Sequence, residues 1–156
     1  MILGHMDIAP GQGHAAGREL LKQMYLEHFS CEMPEIAVTD RGNPYFIDNP
    51  VHFSVSHTKH HVFCALSSSP VGIDAEERGR DIDLRLAEKI LSPTEKQQYD
   101  AAADKRLALL TFWVLKEADA KCTGQGLRGY PNQTTFSLED PRVTTQHGCL
   151  VALIEG

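Results

Sequence analysis

The chain has 156 residues, and none of its apolar runs approaches the roughly 18 residues that cross a bilayer as a helix. Its start, Met1-Ile2-Leu3-Gly4-His5-Met6-Asp7, has no basic cluster followed by an apolar stretch. A secretory leader is therefore not expected, and the cytoplasm is the expected compartment. Basic residues are in the minority: 15 Lys and Arg face 21 Asp and Glu, a net charge of −6. That excludes the broad basic footprint of a general nucleic-acid binder, while leaving room for a local basic pocket. No CxxC pair is present. Cys31, Cys64, Cys122 and Cys149 stand far apart, so neither a zinc ribbon nor a dithiol redox motif is expected, and reduced structural thiols are. There is no internal repeat and no low-complexity tract.

What remains is an ordinary globular composition, 42% hydrophobic and 23% charged, enough for one domain or two small halves packed together. Leu20, Leu21, Met24, Tyr25 and Phe29 recur at helical spacing, which predicts a helix over Gly17 to Phe29. Short strands are predicted at Glu35 to Thr39 and Tyr45 to Ile47, separated by the turn Asp40-Arg41-Gly42-Asn43-Pro44. Phe53 to His57 and Val62 to Ser67 read as a hairpin, and Val71 to Glu76 as a further strand. Asp83 can cap a helix holding Leu84 to Leu91. Ser92-Pro93-Thr94-Glu95 has the capping-box pattern of a helix start, with proline at the first helical position. A long helix is predicted over Lys105 to Lys121, ended by Gly124. Closing strands are expected at Thr134 to Leu138 and Cys149 to Ile154. The mixture predicts an α+β fold.

Three constellations could carry chemistry. In Val71-Gly72-Ile73-Asp74-Ala75-Glu76, strand periodicity puts Asp74 and Glu76 on one face, with Cα atoms roughly 6.5 Å apart. Two such carboxylates can share a hard cation, and magnesium suits them because it takes few carboxylates, water and phosphate oxygens. On the long helix, Trp113, Glu117 and Lys121 fall at i, i+4 and i+8 and form one stripe, with Lys116 beside it. Most of that helix is otherwise apolar, so a charged stripe lines a cleft or makes an ordinary surface ion pair. The third is Ser56-His57 with His60 and His61. Ser56 and His57 point to opposite faces of a strand, which does not suit a Ser–His nucleophile pair. A zinc site of His57, His60 and His61 would need His57 and His61 on one helix face, whereas the segment reads as strand–turn–strand. A histidine at the mouth of a turn can donate to a phosphate.

In this order, Phe53-Ser54-Val55-Ser56-His57-Thr58, Val71-Gly72-Ile73-Asp74-Ala75-Glu76, Leu91-Ser92-Pro93-Thr94-Glu95 and Trp113-Val114-Leu115-Lys116-Glu117-Ala118-Asp119-Ala120-Lys121 together resemble the 4′-phosphopantetheinyl transferase superfamily in its surfactin-type branch. The close match runs from Phe53 to Leu127, with weaker similarity back to Gly17 and on to Leu138. The resemblance implies a pseudo-two-fold pair of small α/β halves, here approximately 1–69 and 70–156 of a single domain 1–156, acting as a monomer. It implies magnesium-dependent transfer of 4′-phosphopantetheine from coenzyme A to a serine of an apo acyl or peptidyl carrier protein, as in fatty acid, polyketide or nonribosomal peptide biosynthesis. Adenosine 3′,5′-bisphosphate would be released, and neither nucleic acid nor membrane is an expected partner. By motif match the metal ligands are Asp74, Glu76 and Glu117. Glu117 and Lys121 are the expected catalytic pair, as base and as stabiliser of phosphate charge. Lys116, with Ser56 and His57, is expected on coenzyme A phosphates, and Arg41, Gly42 and Asn43 near the adenine.

Two departures stand out. The family's lysine in the turn near the adenine is Asn43 here. Only about 52 residues precede Phe53, which predicts a shortened N-terminal half lacking its first strand, with Arg18 and Lys22 remaining on the first helix. A non-catalytic relative that binds coenzyme A or a carrier is the alternative function. Retention of Asp74, Glu76, Glu117 and Lys121 favours the enzyme. Docking an acidic carrier on an acidic chain needs a local basic patch, for which Arg85, Lys89, Lys121 and Arg128 are the candidates.

Overall fold

The structure, a computed structural model, describes residues 1–126 and 133–156; Arg128 and Leu127 lie outside the described residues. The fold is α+β. The chain opens with β1 (Ile2–Asp7) and the long helix α1 (Gly13–Phe29), whose buried face of Leu20, Leu21, Met24 and Tyr25 is the one its periodicity predicts. A small antiparallel pair, β2 (Ile36–Val38) and β3 (Pro44–Phe46), follows, and then the hairpin β4 (His52–His57) and β5 (His61–Ser67). After the break at 68–70 come β6 (Val71–Glu77), a 3₁₀ turn at Leu84–Leu86 capped by Asp83, and three helices. These are α2 (Ala87–Ile90), α3 (Pro93–Ala101) and α4 (Lys105–Thr123). The hairpin β7 (Val143–Gln146) and β8 (Cys149–Glu155) closes the described fold.

Each of two three-stranded antiparallel sheets takes its strands in the order first, last, middle: β1-β5-β4 and β6-β8-β7. Each has a long helix between its first strand and its hairpin, α1 in one and α4 in the other. This is the pseudo-two-fold pair that the resemblance implies. The expected loss of the first strand is corrected by β1, which pairs with β5 from Ile2 opposite Leu66 to Asp7 opposite His61. β1 is an edge strand with weak apolar alternation, so its register is set by β5 and not by a local pattern.

The layers follow from strand periodicity. Val62, Cys64 and Leu66 of β5 face α1 and join Leu21, Tyr25, Phe46 and Phe53 in one cluster. The opposite face, Phe63 and Ala65, packs with Val71, Ile73 and Ala75 of β6 and Cys149 and Val151 of β8 in a second cluster between the sheets. Beyond it, Leu150, Ala152 and Ile154 of β8 meet α4, which buries Leu109, Leu110, Phe112, Leu115 and Ala118. Gly72, Asp74 and Glu76 are left facing α4.

Two further expectations about elements are corrected. Residues 134–138 form no ladder. Their backbone groups are satisfied by helix side chains instead: Phe136 N–H donates to Glu95 Oε2 at 2.8 Å, Leu138 N–H to Gln98 Oε1 at 3.0 Å, and Thr134 C=O accepts from Lys116 Nζ at 2.8 Å. The partner of β8 is β7, a polar strand with Thr144 and Thr145 exposed. Its two-residue turn, His147-Gly148, has φ of 51° and 73°, the left-handed pair that suits the twist of a tight hairpin. Ser92 and Glu95 form the full capping box expected of them. Among the described residues, no helix is long and apolar enough to cross a membrane.

Candidate active site

The site lies where β6, α4 and β4 meet. On α4 the neighbours of the predicted stripe are buried, whereas Trp113, Glu117 and Lys121 are half-buried. The stripe looks onto Gly72, Asp74 and Glu76. Gly72 lets the helix come this close: a Cβ there would lie 1.8 Å from the Ala118 carbonyl oxygen and 2.6 Å from Cys122 N. No side chain fits that gap, so glycine is required by close approach of helix to strand.

Asp74 is 7% exposed and is held from two sides. Its Oδ1 accepts from Lys121 Nζ at 2.9 Å and from Ser56 Oγ at 3.2 Å. Its Oδ2 is buried and has no hydrogen-bond partner among the described residues. Burial pushes the Asp74 carboxyl above the usual carboxylate range, while the Lys121 charge and hydrogen bond and the Ser56 hydroxyl pull it back. Glu76 is raised too, by burial and by Asp74, against the Arg80 charge and the hydrogen bonds of Trp113 and Arg80. Glu117 is pushed up to about 7, first by burial, then by the charges of Asp74 and Glu76, with Lys121 and Arg80 opposing. The structure therefore brings Asp74, Glu76 and Glu117 into one electrostatic cluster. Their donor set has the chemistry of a hard divalent ion's ligands, three carboxylates that repel one another, but their oxygens do not all lie within 4.8 Å of one another, so side-chain rotation must close the site around an ion.

Lys121 is not a free charge in this cluster. Its ammonium donates to Asp74, to Ile73 C=O at 2.9 Å and to Val55 C=O at 3.4 Å, so it ties α4 to both β6 and β4. Ser56 is turned inward as well, accepting from Ala75 N–H at 3.1 Å while donating to Asp74. Ser54 accepts from Ile73 N–H at 3.0 Å in the same manner. Arg80, which the sequence reading passed over, pairs with Glu76, and Arg106 of α4 holds its loop through the carbonyls of Arg78 and Arg80.

Lys116 is set apart from this group. It is 3% exposed and its Nζ pairs with Glu95 Oε1 at 2.8 Å. Glu95, fully buried, also accepts from the backbone of Ser92 and Phe136. Removing one member of such a pair typically costs about 3–5 kcal/mol, because it strands the other charge. Lys116, expected on a coenzyme A phosphate, is held in this buried pair: one position from Glu117, its side chain turns about 100° around the helix, into the core.

His57 is exposed and sits against the start of α1, where a Cβ on Gly13 would fall 2.3 Å from its Nδ1. Two adjoining hollows share His57, Gly13 and His14. One, of about 340 Å³, is lined also by Arg18, Gly42 and Pro44; the other, of about 900 Å³, by Thr58, Lys59, Glu76 and Arg80. The cleft thus runs from the β2–β3 turn past His57 to Glu76. In that turn Asn43 donates through Nδ2 to Gly124 C=O at 2.7 Å, and Arg41 donates through Nη1 to Gln125 C=O at 3.3 Å. Asn43 therefore ties the turn to the end of α4. Among the remaining docking candidates Arg85 and Lys89 are exposed, the former paired with Asp83 at 2.8 Å.

His60 and His61 do not join His57. His60 contacts Glu77 at 2.6 Å, while His61 meets His5 and Asp7 on β1. The cysteines are free; burial pushes the Cys64 thiol up to about 12 and the Cys149 thiol to about 11, so neither is a nucleophile.

A family model described as the 4′-phosphopantetheinyl transferase superfamily matches residues 70–151, just over half of the chain. The chain belongs to this superfamily. It is similar to the 4′-phosphopantetheinyl transferase gsp of Aneurinibacillus migulanus, 32% identical over 72% of this chain and 50% of that protein. It is also similar to psf-1 of Bacillus pumilus, at 32% over 82% and 57%, and to Sfp of Bacillus subtilis, at 32% over 71% and 51%. The chain thus spans about half the length of the curated relatives it matches. Among solved structures, holo-[acyl-carrier-protein] synthase of Thermotoga maritima is similar with a TM-score of 0.46 and 27% identity, covering 55% of this chain and 61% of that one.

Proposed function

We propose that the chain transfers 4′-phosphopantetheine from coenzyme A to a serine hydroxyl of an acyl or peptidyl carrier protein, with magnesium, in the cytoplasm. In this reading residues 1–156 are one domain of halves 1–69 and 70–156, working as a monomer. The observation that carries it is the electrostatic cluster of Asp74, Glu76 and Glu117, of which Glu76 lines a cleft bordered by His57, Arg18 and Arg80. The similar proteins gsp and Sfp, both 4′-phosphopantetheinyl transferases, support the same reaction class.

Asp74, Glu76 and Glu117 would hold the ion, with Asp74 Oδ2 as the free donor. Bound there, magnesium would supply charge neutralisation on the pyrophosphate of coenzyme A. The residues of the chain do the rest. His57 and Arg18 border the part of the cleft that suits the phosphates of the nucleotide, and Gly42 and Pro44 border its far end, where the turn that also holds Arg41 and Asn43 would meet the adenine. Glu117, whose carboxyl is pushed up to about 7 by burial and its neighbouring carboxylates before an ion binds, is the base that would take the serine proton, directly or through a water, as oxygen bonds to phosphorus. The bond to the bridging oxygen breaks, and adenosine 3′,5′-bisphosphate leaves. Ser56 and Lys121 act through Asp74, fixing its orientation and offsetting its charge. Lys116 has no ligand contact in this scheme.

Incubation of a panel of apo carrier proteins with the enzyme, coenzyme A and magnesium, followed by intact-mass spectrometry, tests the proposal. A gain of one phosphopantetheine on a carrier, lost in Glu117→Gln, is expected. Coenzyme A binding without any such gain across the panel would favour the non-catalytic alternative.

A further inference from the structure

We propose that His5, Asp7 and His61 form a second metal site, open to solvent and selective for a divalent transition ion of zinc's type, outside the carboxylate cluster. The register of β1 on β5 builds it. Asp7 lies opposite His61, and His5, two residues back on β1, shares the face of Asp7. Three donor atoms converge: His5 Nε2 and His61 Nδ1 are 3.0 Å apart, His61 Nδ1 and Asp7 Oδ1 3.1 Å, and His5 Nε2 and Asp7 Oδ1 3.6 Å. Ligands about 2.05 Å from a tetrahedral zinc are about 3.3 Å from one another, so the triangle already has the spacing of three tetrahedral corners. Among the described residues this is the group of His, Cys, Asp or Glu side chains whose ligand atoms come together as a metal needs.

Hydrogen bonding alone does not account for the triangle. With neutral rings, His61 Nδ1 cannot both accept from His5 and donate to Asp7, so three mutual contacts hold at most two hydrogen bonds. One cation satisfies all three donors at once. Two imidazoles and one carboxylate suit zinc, cobalt(II) or iron(II), whereas magnesium and calcium prefer oxygen throughout. The histidine side chains are each 19% exposed and that of Asp7 is 83% exposed, so a fourth position faces water. His147 stacks on His5 with ring centroids 3.6 Å apart and planes 8° from parallel, and so fixes the ring that presents Nε2. His147 belongs to the β7–β8 turn, so the second half supports the site as a neighbour that orients a ligand. A bound ion would cross-link the edge strand β1 to the central strand β5.

The test uses the tag-free full chain, stripped with a chelator and titrated with cobalt(II) and zinc. Visible absorption and competition with a chromophoric chelator report binding; thermal melts report stabilisation. We expect a tetrahedral cobalt spectrum and a midpoint that rises with zinc. Asp7→Ala and His61→Ala should each weaken zinc at least tenfold and abolish the rise, whereas Glu117→Gln should keep both. Asp7 is exposed, so its removal leaves the core intact, and circular dichroism checks this. Absence of zinc binding at stoichiometric protein would overturn the site. So would zinc that stays bound to Asp7→Ala but leaves Glu117→Gln, since the ion would then sit on the carboxylates.

Discussion

Glu117 shows how a single residue couples the site to stability. Its folded-state pKa of about 7 lies above its ordinary value of 4.5. The folded protein then holds a proton that the unfolded chain releases in this window. The stabilisation is full below the ordinary value and is lost as pH rises through about 7. With divalent ions chelated, Glu117→Gln should therefore melt higher than the parent at pH 8, with the gain shrinking towards pH 5. Thermal melts at three pH values check this, and parallel curves for the two proteins would show that Glu117 does not titrate as its surroundings dictate. At this scale the sequence was informative about charge and silent about partners. Strand and helix periods put Asp74 with Glu76 on one face and Glu117 with Lys121 on another; it was the family resemblance that joined the two pairs in one site. Lys116 could not be told from them, because the partner that removes it, Glu95, is 21 positions away and looked like a capping residue only. The inward turn of Ser56 depends on β6 lying beside β4, a tertiary fact with no local signal.

Among elements, β6 and α4 were legible almost to the residue, since one has clear alternation and the other caps at both ends. The strands β1 and β7 were not, because each is short or polar and owes its register to a neighbour. Residues 134–138 have the composition of a strand yet meet helix side chains where a strand would meet a ladder. The contact between β6 and α4 carries the sharpest test. A methyl at position 72 would meet the Ala118 carbonyl far inside contact distance, so α4 must move away. Gly72→Ala should lower stability by about 1–3 kcal/mol in urea denaturation. Carrier modification should fall on the order of 10²-fold, because a displacement near 1 Å separates Glu117 from Asp74. Wild-type turnover in a folded Gly72→Ala protein would mean that the two elements need not touch for the chemistry.

Across the whole molecule, the halves are joined by side chains and not by a continuous sheet. Ser54 and Ser56 of β4 accept from Ile73 and Ala75 N–H of β6, and Lys121 donates to the carbonyl between them. Each N–H left without its serine would cost about 1–3 kcal/mol. The break at 68–70 was readable from Ser67-Ser68-Ser69-Pro70, but the seam itself was not, since Ser-x-Ser on a strand looks like any solvated face. That seam bears on self-association. β6 is an edge strand of its sheet, and an edge with unpaired backbone groups invites strands from other molecules. Here the hydroxyls take the Ile73 and Ala75 N–H groups and the ammonium takes the Ile73 carbonyl, which denies a foreign strand those central positions. The double change Ser54→Ala and Ser56→Ala should thus reveal itself first by light scattering during refolding at raised concentration, ahead of any loss of helical signal. Solutions of the variant as clear as those of the parent would show that the edge is guarded by packing alone.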